Sequence, residues 1–194
     1  MKPTQSVLLI ALVGEGALYI LSLPWLLHSG WDPVCAASGA MVAAGTVAAL
    51  LLFGLSFRWI EALLSHEKPS AYRRLYKEVL LPLASSLSGR EIFLIAFLSG
   101  TAEEILFRGA IPWYLTSLGF GTLLAHGVSN FAFASVHFIG SFREFGRLIP
   151  MYFCVGCLLS WLALSFDSLM PAMICHGLVN FLSLSLLKIR SQSS

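Results

Sequence analysis

Hydrophobic positions in this chain fall into long runs, not into the alternation of half-buried strands. The runs cover roughly 6–27, 34–57, 91–117, 120–140, 147–166 and 170–189. Each is close to the ~20 residues that an α-helix needs to cross a bilayer. One substantial polar stretch, 58–90, separates the second run from the third. Its middle, up to Pro82, reads as an amphipathic helix at the membrane interface, followed by an apolar piece able to dip into the bilayer. Pro82, Ser85, Ser86, Ser88 and Gly89 predict a break before the third helix. The pattern therefore predicts an all-α, polytopic transmembrane helical bundle of about six spans. It divides into 1–90, with N-terminal transmembrane helices and a cytoplasmic amphipathic segment, and 91–190, a transmembrane core that carries the chemistry.

Composition supports the membrane reading. Of the 194 residues 57% are hydrophobic and only 11% charged, against about 25% charged in a soluble domain. The net charge is +2 without a basic run, so no nucleic-acid partner is expected. The apolar run from Val7 to Leu27 closes on no small-x-small site, so it is read as a first transmembrane helix and not a removed signal. Lys2, Arg58, Lys68, Arg73, Arg74, Lys77, Arg90, Arg143, Arg147, Lys188 and Arg190 all fall on one side if both termini are cytoplasmic. That leaves Arg108 alone of the 12 basic residues, as the positive-inside rule requires. The location expected is the cell (inner) membrane.

Cys35, Cys154, Cys157 and Cys175 lie in apolar segments, which excludes a disulfide-rich secreted protein. Cys154 and Cys157 form a CxxC inside a helix, and are read as small packing residues. The second run, AASGAMVAAGTVAA, suits close helix packing in lipid. Glu15 in the first run is an intramembrane acid, read as a packing or interfacial residue.

The candidate chemistry centres on Thr101–Gly109, TAEEILFRG. Ionisable groups at membrane depth cost a few kcal/mol each on insertion scales, and persist where pairing or function offsets this. Glu104 and Arg108 are four apart and share a helix face, so they can pair. Glu103 points about 100° away and is left free for chemistry. The fourth run carries His126, Asn130, Phe133 and His137 on one stripe, and the sixth carries His176 and Asn180 on one face. Polar stripes on membrane helices face the bundle interior. Glu103 falls about 22 Å below the outer end of its segment, His137 about 25 Å below the start of its own, but His176 only about 9 Å. A meeting of all three therefore needs a sunken turn over 167–170, tilted helices or a different boundary.

A carboxylate beside a histidine in a dry pocket can hold and deprotonate a water. A second histidine and an asparagine supply N–H donors for a developing oxyanion. Together these describe amide hydrolysis with water as the nucleophile; neither GxSxG nor HExxH occurs in the chain.

The ordered set EExxxR (Glu103, Glu104, Arg108), FxxxH (Phe133, His137) and HxxxN (His176, Asn180), with the core EEILFRG that includes Phe107 and Gly109, resembles the CPBP family. That family groups type II CAAX prenyl endopeptidases with bacteriocin-processing and immunity proteins and myxosortases. The resemblance covers about 90–187 and implies a glutamic-type intramembrane endopeptidase without a cofactor. It implies that Glu103 activates the water with His137 assisting, and that His176 and Asn180 form the oxyanion site. It also implies that Glu104 and Arg108 orient the cluster and that Phe133 packs the His137 ring. The partners expected are membrane lipid and a protein or peptide substrate with a membrane-proximal or transmembrane segment. HGxxN occurs twice, at His126–Asn130 and His176–Asn180; position in the last helix favours the second copy, leaving His126 and Asn130 as packing or hydrogen-bonding residues.

Other readings stay open on the residues alone. Glu103, His137 and His176 form an acceptable catalytic zinc set. A non-catalytic bacteriocin immunity or membrane scaffold protein has no need of both glutamates and the donor pair. A transporter would show paired broken helices in matching halves, which the sequence lacks.

Overall fold

A computed structural model describes residues 3–29, 38–65 and 71–192; Lys2, Cys35 and Lys68 lie outside the described residues. The described chain is helical throughout: α1 (Pro3–Ser29), α2 (Gly39–Ser65), α3 (Ala71–Ser86), α4 (Gly89–Ser117), α5 (Thr122–Val136), α6 (Phe142–Phe166) and α7 (Met170–Gln192). The protein is an all-α, multi-pass membrane protein. Four of these helices are long and apolar enough to cross a membrane, or five if the bent pair α3–α4 counts as one span. The expected six is thereby corrected. The fourth expected span is a helix of only 15 residues, about 22 Å long. It stops at His137 and the chain reverses through Gly140, whose φ of +86° suits glycine.

The break before α4 falls where expected. Ser88 and Glu91 form a reciprocal capping box, and α3 meets α4 at 116°. Pro82, expected to mark that break, instead lies inside α3. The chain absorbs it, and likewise Pro112 in α4, with a π-helical stretch just upstream: Leu75–Leu80 and Ile105–Ala110. A proline ring clashes with the carbonyl four residues back. Widening the turn so that Leu81 N–H reaches Tyr76 O, and Ile111 N–H reaches Leu106 O, moves that carbonyl aside.

Glycines let the helices close. Gly45 of α2 sits where a Cβ would meet Pro171 O at 2.6 Å, and Gly109 of α4 where it would meet the Trp25 ring at 2.8 Å. A Cβ on Gly100 would lie 2.7 Å from both the Cα and N of Gly177, so α4 and α7 cross backbone to backbone. Gly100→Ala is expected to lower stability by about 1–3 kcal/mol through overpacking, outweighing the roughly 1 kcal/mol gained in helix propensity. Thermal unfolding in detergent checks this; an unchanged midpoint would show that the crossing can widen freely.

The helix directions place both ends of the chain together. Tyr19 and Trp25 of α1 meet Thr101 and Gly109 of α4, so those two run parallel. Ser99 meets Asn180 and Glu104 meets His176, so α4 and α7 run antiparallel. The basic residues of α3, of the starts of α4 and α6, and of the end of α7 gather at this same end. The α6–α7 turn at the other end is sunken: Leu169 is buried in the main core with Trp25 and Phe107.

Candidate active site

The chemistry-bearing segment of α4 lies at its π-stretch. Glu104 and Arg108 are both buried, and Arg108 Nη1 donates to Glu104 Oε1 at 2.8 Å. The i,i+4 pairing expected from sequence is present. The same oxygen accepts from His176 Nδ1–H at 2.8 Å. The sunken α6–α7 turn is what brings His176 to this depth, in place of the shallow position, about 9 Å down, anticipated from a full-length span. Arg108 also reaches Gly156 O at 3.5 Å, where a Cβ on Gly156 would crowd Arg108 Nη2 at 3.3 Å.

Glu103 points away from this pair and toward His137, its Oε2 lying 3.7 Å from His137 Nε2. That separation is too long for a hydrogen bond, and Glu103 Oε2 is buried without a hydrogen-bond partner. His137 lies against the Phe133 carbonyl, Nδ1 to O 2.7 Å. A carbonyl only accepts, so Nδ1 carries a proton, and in the neutral ring Nε2 presents a lone pair to Glu103. Two acceptors thus face each other across a short gap.

Phe133 joins the parts. Its ring centroid is 4.8 Å from that of His137 and 6.0 Å from that of His176, and the Arg108 guanidinium carbon lies 4.2 Å over its face. Asn180 sits one turn beyond His176 and donates Nδ2–H to Ser99 Oγ at 2.9 Å. The structure thus brings Glu103, Glu104, Arg108, Phe133, His137 and His176 into one connected cluster, with Asn180 on its border. Among the described residues no three His, Cys, Asp or Glu side chains are disposed to hold a metal ion. His176 Nδ1 is committed to Glu104.

His126 and Asn130 belong to a separate buried network. Ser160 Oγ donates to Asn130 Oδ1 at 3.0 Å and accepts from His126 Nδ1–H at 3.1 Å. Cys157 Sγ lies 3.8 Å from Asn130 Nδ2, so this half of the CxxC is a packing neighbour. Glu15 of α1, read as a packing or interfacial residue, has its Oε2 buried without a hydrogen-bond partner among the described residues.

Sequence reasoning missed Ser99, Tyr152 and Ser129. Tyr152 of α6 packs its ring 4.8 Å from His137. Ser129 donates to Phe107 O within the π-stretch. Ser129 falls between Asn130 and His126 on α5 and its small polar side chain was the available signal.

A cavity of about 550 Å³ leads away from the cluster. Phe133, His137, His176 and Asn180 line its polar end; Leu184 and Arg190 lie toward the other, where α2, α3 and α7 meet. Its walls are otherwise mainly aliphatic and aromatic. A multi-pass helical membrane protein with a buried Glu/His/Arg cluster at the head of an apolar cavity is the class that this fold and site define. Residues 86–182, half of the chain, match the family described as type II CAAX prenyl endopeptidase Rce1-like. The chain belongs to that family of intramembrane proteases. No curated protein and no solved structure matches the chain significantly.

Proposed function

We propose that this protein is an intramembrane endopeptidase that hydrolyses a peptide bond near or within the bilayer, with a water activated between Glu103 and His137. One observation carries the reading: the facing acceptors Glu103 Oε2 and His137 Nε2, 3.7 Å apart at the polar end of the apolar cavity. The group that satisfies two such acceptors has two O–H donors and fits at the apex of a triangle with both. Water has these properties.

The reaction follows from the same geometry. As the water oxygen bonds to the carbonyl carbon, Glu103 takes its proton and the carbonyl electrons move onto oxygen. Glu103 then returns the proton to the leaving amine as the C–N bond breaks. The oxyanion is met by Asn180, whose Nδ2 keeps one N–H beyond that given to Ser99, and by His176. His176 Nδ1–H is held by Glu104, and in the protonated ring Nε2–H donates to the oxyanion. Arg108 and Glu104 orient His176, and Phe133 holds the His137 ring. The chemistry needs no cofactor. Residues 91–190 form the catalytic core in this reading. The basic end faces the cytoplasm of the cell membrane, and the substrate is a C-terminal sorting segment, a leader peptide or a prenylated C-terminus that enters the apolar cavity.

Cleavage of tagged tail-anchored substrates in reconstituted vesicles tests this, with wild type, Glu103→Ala and His126→Ala, each with and without chelator. Loss with Glu103→Ala, survival with His126→Ala and indifference to chelator are expected. Loss on chelation, restored by zinc, would turn the same residues into metal ligands and end the metal-free mechanism.

A further inference from the structure

A second cavity, of about 350 Å³, lies on the other side of the Glu104–Arg108 pair. Thr116, Thr122, Asp167 and Ser168 line its outer part, and Arg108 and His126 its inner part. It therefore opens beside the α4–α5 and α6–α7 turns. The first cavity runs toward Arg190, near the far end of α7, about 30 Å away along that helix. The sunken α6–α7 turn creates this hollow. Where the two cavities approach, only one layer divides them: Arg108 lines the second and Phe133 the first, with the guanidinium carbon 4.2 Å above the ring.

The chemistry of the second cavity selects its occupant. Arg108 is only 4% exposed, and its Nε–H has no hydrogen-bond partner. His126 gives Nδ1–H to Ser160, so its Nε2 is an acceptor. The Arg108 charge is already matched by Glu104 at 2.8 Å, and Asp167 adds an acid at the mouth, so the cavity has no net field for an anion. A donor and an acceptor lining a small hollow without a net positive charge suit water. Beyond Arg108, Glu104 Oε2 and Glu103 Oε2 are also buried without hydrogen-bond partners, continuing the polar track to the site.

We infer that this cavity is a water-access vestibule, with the Arg108–Phe133 stack as its inner gate. It supplies the hydrolytic water from the end of the bundle opposite the substrate cavity. The inference rests on the hydrolase reading, and gives that reading a route that stays open while an apolar chain fills the first cavity.

The test is hydroxyl-radical footprinting of the wild-type chain in vesicles, paired with cleavage kinetics of Thr116→Trp, which narrows the mouth. Trp25 and Met173 are both 8% exposed and His126 7%, but of the three only Trp25 and His126 line the cavity. Trp25 and His126 are expected to be modified several-fold faster than Met173, despite the high intrinsic reactivity of methionine. Thr116→Trp should protect both and lower kcat with KM unchanged. Protection of Trp25 and His126 in the wild type would overturn the vestibule. So would a Thr116→Trp chain whose footprint is protected but whose kcat is not lowered. If no substrate is cut, the hydrolase reading fails, and the footprint alone decides whether the cavity is wet.

Discussion

Glu103→Gln is expected to reduce peptide cleavage by about 10²–10⁴-fold, the range for loss of a positioned general base, while leaving the fold at least as stable. The amide keeps the shape of the side chain but cannot take a proton from water. The stability half follows from what Glu103 does not do. Its Oε2 is buried without a hydrogen-bond partner, and among the described residues no Arg or Lys pairs with it, so the folded state carries an acid oxygen that is poorly compensated. Removing that charge should raise the unfolding midpoint slightly, the trade between stability and activity seen at strained sites. His126→Ala gives the contrasting result: the Ser160–Asn130 network loses a partner, stability drops modestly, and the cleavage rate per folded molecule stays near wild type. Single-turnover cleavage and thermal unfolding on the same preparations read both. Retention of cleavage by Glu103→Gln would sink the water-activation mechanism.

The parts of this site that sequence made legible are those governed by helical periodicity. Glu104 and Arg108 at i,i+4 had to share a face, and the 126–137 stripe had to turn inward, because lipid offers nothing to a histidine or an asparagine. What stayed hidden depends on departures from regular helix. Pro82 and Pro112 read as a break and as nothing in particular. Both are accommodated by π-stretches, and the second of these places Arg108 and frees the Phe107 carbonyl that Ser129 takes up. The depth of His176 could not be computed from a span drawn to full length, because Leu169, in the turn before α7, is buried in the core with Trp25. The same assumption inflated the span count at α5. Ser99 and Tyr152 were unreadable for another reason. A serine or tyrosine in an apolar run carries no signal until a partner across the bundle, here Asn180 or His137, is known.

Arg108→Leu is expected to cost about 3–5 kcal/mol of stability, because it deprives the fully buried Glu104 of its guanidinium partner and leaves it only the His176 hydrogen bond. The stacking of the guanidinium on Phe133 is worth up to about 2 kcal/mol more when desolvated. A loss of this size is a large share of the roughly 5–15 kcal/mol that holds a typical domain together. The exposed pair Arg190–Glu61 is the control: Glu61 is half exposed, and Glu61→Ala should change stability by at most about 1 kcal/mol. A double variant, Glu104→Leu with Arg108→Leu, separates structure from chemistry. Replacing both members of a buried ion pair by apolar residues is often neutral or stabilising, so the double variant should recover most of the stability lost by the single one. It should not recover cleavage, since His176 then has no Glu104 carboxylate to hold its Nδ1–H and fix its ring. Unfolding midpoints and cleavage rates of the three variants together decide the matter. If Arg108→Leu unfolds like wild type, the pair does not hold the core. If the double variant cleaves like wild type, Glu104 and Arg108 have no part in orienting His176.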